Sequence, residues 1–298
     1  MNQVFGIPNV GNTCWLSSVL QVLLSSTRFR ECLSKLPPAP LTSALVSLPS
    51  SVLEVFRLLQ QKMTDHGQQD ANDGLYLIFE ILHDEHSTFF REPYSEIQRQ
   101  LLKYSKQKIS PIYFLFEGVT QWVDSDKKIR YEPFLTTFLT SSSRNTSVVD
   151  LKELIDDSLR SRKIVATPMV MIFCLEHMTN HNVEFKMCKS FIIGMKTSLN
   201  VVSSNKKLSS QPVLGREYER TVGSFKKLRY VLRGMSLHSG VLSRTSSFGH
   251  YIAMREIKNN GATSWAICDD HNIGHMETCP DLIRQTPRLL LYEVETMT

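Results

Sequence analysis

FGIPNVGNTCWLSSVLQVLL, residues 5–24, places a glycine-punctuated turn directly before an apolar helical period. From Trp15 onward Leu16, Val19, Leu20, Leu23 and Leu24 recur at three- and four-residue spacing, the pattern of a helix with one buried face. Pro8, Gly11, Asn9 and Asn12 cannot continue such a helix and suit a tight loop. Cys14 therefore enters on the first helical turn, where unpaired amides and the positive end of the helix dipole favour thiolate over thiol. A cysteine near a helix start is also commonly a buried, inert small hydrophobe. Partners elsewhere in the chain have to decide between these readings.

A nucleophilic cysteine needs a base within hydrogen-bond reach and a group that orients that base. Among nine histidines, His250 stands in the most distinctive setting, FGHYIA, where Gly249 allows close backbone approach as an apolar strand begins. Downstream, WAICDD puts Asp269 and Asp270 at the end of the strand expected to pair with that of His250. Such a hairpin brings Asp269 beside the imidazole, where a carboxylate fixes the tautomer and favours the imidazolium. Two aspartates ending a strand also serve as ordinary turn formers, and a lone histidine at a strand edge is often structural. The loop before Cys14 offers oxyanion donors in the amides of Asn9 and Asn12 and the Cys14 backbone N–H.

The surrounding chain reads as a helical first third followed by a sheet-rich remainder. Pro37 to Ser51 reads as loop, Val52 to Met63 resumes a helical period ending near Gly67, and Gln68-Gln69-Asp70 opens a third helix. Tyr94 to Tyr104 adds an amphipathic segment. From Ile112 the runs turn β-branched and aromatic: Ile112 to Phe116, Val119 to Val123 and Phe134 to Leu139 read as strands. A helix capped by Ser147 interrupts them. Strands follow at Met169–Leu175, Glu184–Met187, Phe191–Met195, Tyr230–Leu237, Tyr251–Ile257, Thr263–Cys268 and Leu289–Val294, in a mostly antiparallel arrangement. Ser203–Ser224 and Ser239–Ser247 read as exposed loops.

Composition excludes several classes. With 298 residues, 42% hydrophobic and 21% charged, the chain can bury one large core or two modest ones. Its net charge of +5 comes from dispersed residues, without the basic stripe interleaved with aromatics that nucleic-acid binding needs. No signal peptide or membrane-length apolar run is present, so a cytosolic or nuclear location and no membrane partner are expected. The six cysteines lack close pairing, which argues against a disulfide framework and against a Cys-x-x-Cys zinc site.

Three separated segments, in this order, resemble the ubiquitin-specific protease family: GIPNVGNTCWLSSVLQVL its cysteine box, QQDANDGLYLIF its Gln-Gln-Asp segment, and SLHSG with GHYIAM and WAICDD its histidine box. The resemblance frames residues 6 to 270. It implies an α+β fold, the papain-like hand of thumb, palm and fingers. It also implies a single catalytic domain over 1–298, with a helical thumb over 1–108 and reduced fingers and palm over 109–298. It makes Cys14 the nucleophile, His250 the general base, Asp269 its orienting group with Asp270 as helper, and Asn9 the oxyanion donor, leaving Asn12 to the turn. Asp70 is expected to meet the basic C-terminal tail of ubiquitin, with Gln69, Gly249 and Tyr251 lining the same substrate-binding region.

The implied reaction is hydrolysis after the C-terminal Gly-Gly of ubiquitin through a thioester, with no cofactor and no metal. Ubiquitin or ubiquitinated proteins are the implied partners, and a monomer is expected. Departures from the family pattern are Trp15 for tyrosine, Ser17 for asparagine, Asn72-Asp73-Gly74 for His-Glu-Phe, and Met254 for tyrosine. The finger cysteine pairs that hold zinc in many members are absent, which implies short, metal-free fingers. Two alternatives stay open: a non-cutting ubiquitin-binding module, and a protease for another ubiquitin-like modifier. A metal site built from Cys14, His250 and Asp269 is more distant.

Overall fold

The apolar period after Thr13 forms α1 (Cys14–Ser25), every residue of which is buried. In the computed structural model the described residues are 4–63, 69–87, 110–123, 125–140, 147–161, 163–175, 183–194, 227–242, 247–259 and 262–295. The helices that follow are α2 (Thr27–Lys35), α3 (Pro40–Val46), α4 (Val52–Gln60), α5 (Ala71–His86), α6 (Pro111–Phe116) and α7 (Leu151–Arg160). The first strands are β1 (Gly118–Val123), β2 (Ile129–Phe134), β3 (Thr136–Leu139), β4 (Val148–Asp150), β5 (Lys163–Ala166), β6 (Val170–Leu175), β7 (Glu184–Lys186) and β8 (Ser190–Gly194). They are followed by β9 (Lys227–Leu242), β10 (Ser247–Asn259), β11 (Ala262–Asp269), β12 (Asn272–Met276), β13 (Leu282–Ile283) and β14 (Thr286–Glu295).

The main sheet runs β12-β11-β10-β9-β14-β6-β3, with β8 also pairing β9. Its pairings are antiparallel except that β3 lies parallel to β6. Two small three-stranded sheets, β2-β1-β5 and β13-β7-β4, complete an α+β fold. Residues of α1, α5, β6, β9, β10 and β14 share one apolar core, in which α1 packs chiefly against β10, β9 and α5. No helix among the described residues is long and apolar enough to cross a membrane. All six cysteines are buried and none forms a disulfide.

Several sequence expectations are corrected. The stretch expected as loop between Pro37 and Ser51 contains α3, whose Pro40 occupies the first turn, where its missing N–H and fixed φ are no handicap. Ile112–Phe116, expected as a strand, is α6, because Pro111 opens it and the Ser110 side chain accepts the Tyr113 amide. The helix expected from Ser147 begins at Leu151. Val148–Asp150 instead pairs with β7, and Asp150 becomes the cap by accepting the Lys152 amide. The second helix closes at Gln60 rather than near Gly67. The loop expected over Ser239–Ser247 is largely ladder, since β9 reaches Leu242 and β10 starts at Ser247. β5, β12 and β13 are additional short strands. The Tyr94–Tyr104 and Ser203–Ser224 segments lie outside the described residues.

Two departures from the family pattern fit one another. A Cβ built on Gly74 would lie 2.3 Å from Cζ3 of Trp15, whose side chain is fully buried. The larger indole on α1 takes the space that the glycine vacates on α5. Gly74→Ala therefore destabilises the fold despite alanine's helix propensity, because overpacking against a fixed ring, about 1–3 kcal/mol, exceeds the gain of about 1 kcal/mol. Chemical denaturation checks this, and the loss shrinks when Trp15→Phe is added, as coupled neighbours require.

Candidate active site

The loop before α1 is shaped by residues that tolerate positive φ. Gly11 has φ 108° and Asn12 φ 50°, values suited to glycine and asparagine. Within this loop the Asn9 side-chain oxygen accepts from the Gly11 amide at 3.1 Å, the Thr13 amide at 3.0 Å and the Thr13 hydroxyl at 3.2 Å. Three donors fix the amide orientation, so Nδ2 faces outward. One of its hydrogens goes to Asp270 Oδ2 at 3.1 Å, which leaves the second available.

The loop is also tied to the palm. The Ile7 amide donates to the Asp270 carbonyl at 2.9 Å, and Asp270 itself takes φ 49° to present that carbonyl. A Cβ on Gly6 would fall 2.1 Å from the His271 carbonyl oxygen, so only glycine fits there. Buried polar contacts hold α1 against β9 and β10: Ser18 and Ser236 share a hydroxyl contact of 2.9 Å. Arg255 reaches Gln21 Oε1 at 3.0 Å and the Leu24 carbonyl at 2.9 Å. A cation at unpaired carbonyls of a helix end satisfies both their hydrogen bonding and the dipole. Ser17 donates to the Ile7 carbonyl at 3.4 Å.

His250 lies on β10 opposite Ser239 of β9. β10 pairs with β11 through Ala253 opposite Cys268, and the hairpin carries Asp269 to His250: Nε2 and Oδ1 are 2.6 Å apart. A carboxylate partner suits the neutral tautomer in which Nε2 donates and Nδ1 accepts. The two side chains are about half exposed. Cys14 is buried, and the backbone amide of Tyr251, the residue after His250, is directed at its sulfur.

The expected thiolate bias at the helix start is not the outcome. The Cys14 thiol is pushed above its ordinary pKa, first by burial, with the Tyr251 amide opposing and the Asp270 carboxylate adding to the rise. The amides of Trp15 and Cys14 also favour the thiolate, but desolvation of the charged form outweighs all three donors.

His250, Asp269 and Asp270 place one donor atom each within 4.8 Å of one another, a set able to hold a metal ion. Cys14, which the sequence reading grouped with such a site, is not part of that set. Asp70 caps α5 by accepting the Asn72 amide at 2.9 Å, and Tyr251 is buried against His238, ring centroids 4.5 Å apart. Gln69 precedes the cap. Sequence reasoning passed over Arg288, Arg255 and His238. The available signal was a lone cation or imidazole inside an apolar strand, as in Thr286-Pro-Arg-Leu-Leu-Leu.

The chain matches the family model described as ubiquitin carboxyl-terminal hydrolase over residues 5–292. Curated protein sequences give no significant match. Among solved structures it is similar to the SAGA Ubp8/Sgf11/Sus1/Sgf73 DUB module, with TM-score 0.67, 17% identity, and coverage of 100% of this chain and 69% of that one. The same module bound to ubiquitin aldehyde gives TM-score 0.63, 17% identity and coverage of 100% and 70%. An essential yeast splicing factor gives TM-score 0.61, 12% identity and coverage of 99% and 70%. At these identities the likeness establishes the fold.

Proposed function

Because the chain belongs to the ubiquitin carboxyl-terminal hydrolase family, we propose that it is a thiol-dependent deubiquitinase that cleaves the peptide or isopeptide bond after the C-terminal Gly-Gly of ubiquitin. The observation that carries this reading is the His250–Asp269 pair at 2.6 Å, on the strand whose Tyr251 amide meets the Cys14 sulfur.

The raised thiol pKa shapes the mechanism. Proton transfer to His250 Nδ1 accompanies attack, rather than preceding it as a standing ion pair. Sγ bonds to the glycyl carbonyl carbon, and the developing oxyanion takes the remaining Asn9 Nδ2 hydrogen and the Cys14 amide. Asp269 stabilises the imidazolium, which then gives its proton to the leaving amine. Water, deprotonated by His250, attacks the thioester, releasing the ubiquitin carboxylate and restoring the thiol. Asp270 is the helper: it holds Asn9 in place, while its negative charge opposes both thiolate and oxyanion. Gln69, Asp70, Gly249 and Tyr251 line the path of the tail, and a narrow passage there suits two glycines.

A ubiquitin probe ending in an electrophile tests the reading. The expected result is one adduct, mapped to Cys14 and absent in Cys14→Ala. No adduct, or an adduct on another cysteine such as Cys268, contradicts it. The former outcome favours a non-cutting binder.

A further inference from the structure

Asp70 is already paired inside the chain. Its Oδ1 accepts the Asn72 amide, and its Oδ2 is bound by Arg288 Nη2. The Arg288 side chain is 7% exposed and that of Asp70 22%. Arg288 Nη1 also donates to the Leu175 carbonyl at the end of β6, 2.8 Å away. The guanidinium thus ties β14, β6 and the start of α5 together. Around the pair, His238 and Tyr251 are each 1% exposed. Both His238 ring nitrogens and Arg288 Nε have no hydrogen-bond partner among the described residues. Burial and the Arg288 charge hold His238 neutral, its pKa pushed down to about 4, so it adds no second positive charge.

A tail cation arriving at Asp70 would have to displace Arg288. Displacement would strip two hydrogen-bonded nitrogens and leave a guanidinium buried without its counter-charge, the unfavourable case for a buried ion pair. Without displacement, the arriving cation meets a neutral pair whose positive member lies close by, and like charges in such a setting repel. Resting on the reading that Asp70 faces the modifier tail, we propose that Arg288 is a specificity-determining residue, a resident stand-in for a basic tail side chain. It makes the site read the tail by the fit of Gly-Gly rather than by charge. Ubiquitin-like modifiers with an uncharged residue before Gly-Gly are then accepted as readily as those with a basic one.

The test compares two substrates of the full chain: ubiquitin with a C-terminal fluorophore, and the same conjugate with the basic tail residues replaced by alanine. Wild type is expected to show kcat/KM values within about threefold of each other, because a charge-assisted contact worth about tenfold or more is absent. Arg288→Met frees the Asp70 carboxylate, which keeps its Asn72 contact. It is expected to prefer the basic tail by about tenfold or more, mainly through KM. A wild-type preference of that size for the basic tail overturns the proposal, and so does an unchanged ratio in an Arg288→Met chain of intact cooperative unfolding. If that variant does not fold, the wild-type ratio alone decides. Wild-type silence on both conjugates, with no probe adduct, instead removes the deubiquitinase reading and the specificity proposal with it. Turnover with a strong basic preference removes only the latter.

Discussion

His250→Ala lowers kcat/KM on a ubiquitin C-terminal conjugate by about 10²–10⁴-fold, the usual contribution of a positioned general base. The loss falls at the upper end of that range because the Cys14 thiol is raised rather than lowered in pKa. A chain that stored Cys14 as thiolate would keep part of its nucleophile without the base, whereas on the proposed mechanism the proton is removed during attack. Asp269→Asn is expected to cost up to about 10⁴-fold, because an amide in place of the carboxylate can hold the imidazole in the wrong tautomer and no longer stabilises the imidazolium. Steady-state kinetics between pH 6 and 9 separates the two. With His250→Ala the residual rate climbs with pH as the thiol ionises, while Asp269→Asn keeps the wild-type form of the profile. A His250→Ala chain within tenfold of wild type rules out the assigned base.

Gly249→Ala is expected to lower kcat/KM by about 10²-fold, although it changes none of the proposed catalytic side chains. An added Cβ lies 2.3 Å from the Ser239 carbonyl oxygen and 2.4 Å from His238 Nε2. The first atom belongs to the ladder backbone of β9, opposite His250 itself, and the second to a ring that is fully packed. Neither can yield cheaply, so β10 shifts and carries the imidazole away from both Cys14 and Asp269. A stability loss of about 1–3 kcal/mol accompanies it. Removing the ring clash with His238→Ala recovers little, because the Ser239 carbonyl remains. Near-wild-type turnover by Gly249→Ala means that the strand tolerates the methyl and that close β9–β10 approach is not what sets His250.

The juxtapositions of the candidate site were more legible in the sequence than the elements around it. Cys14 stood out because a turn with Gly11 and Asn12 abuts a long apolar period, and both signals are local. His250 and Asp269 were legible because a hairpin with continuous pairing from Ala253 to Asn259 brings nearby residues together. α3 and α6 were not, since each is under eight residues long and opens with proline, which also marks loops. The short strands β5 and β13 gain their stability from long-range pairing, which local propensity does not register.

Longer-range chemistry was least visible. The Asp70–Arg288 pair spans 218 positions, and the fit of Trp15 to Gly74 joins two residues that separately read as departures. The sign of the Cys14 shift was unreadable for a related reason. It is a sum of burial, three amides and one carboxylate, and the sequence announced only the helix-start amides.

Release of a fluorophore from the C-terminus of ubiquitin by the purified wild-type chain, with Cys14→Ala beside it, tests the central claim most directly. The account predicts turnover by the wild type and none above background by Cys14→Ala. Equal release by both chains would contradict Cys14 as the nucleophile, and silence from both would contradict the assignment of ubiquitin hydrolysis to this chain.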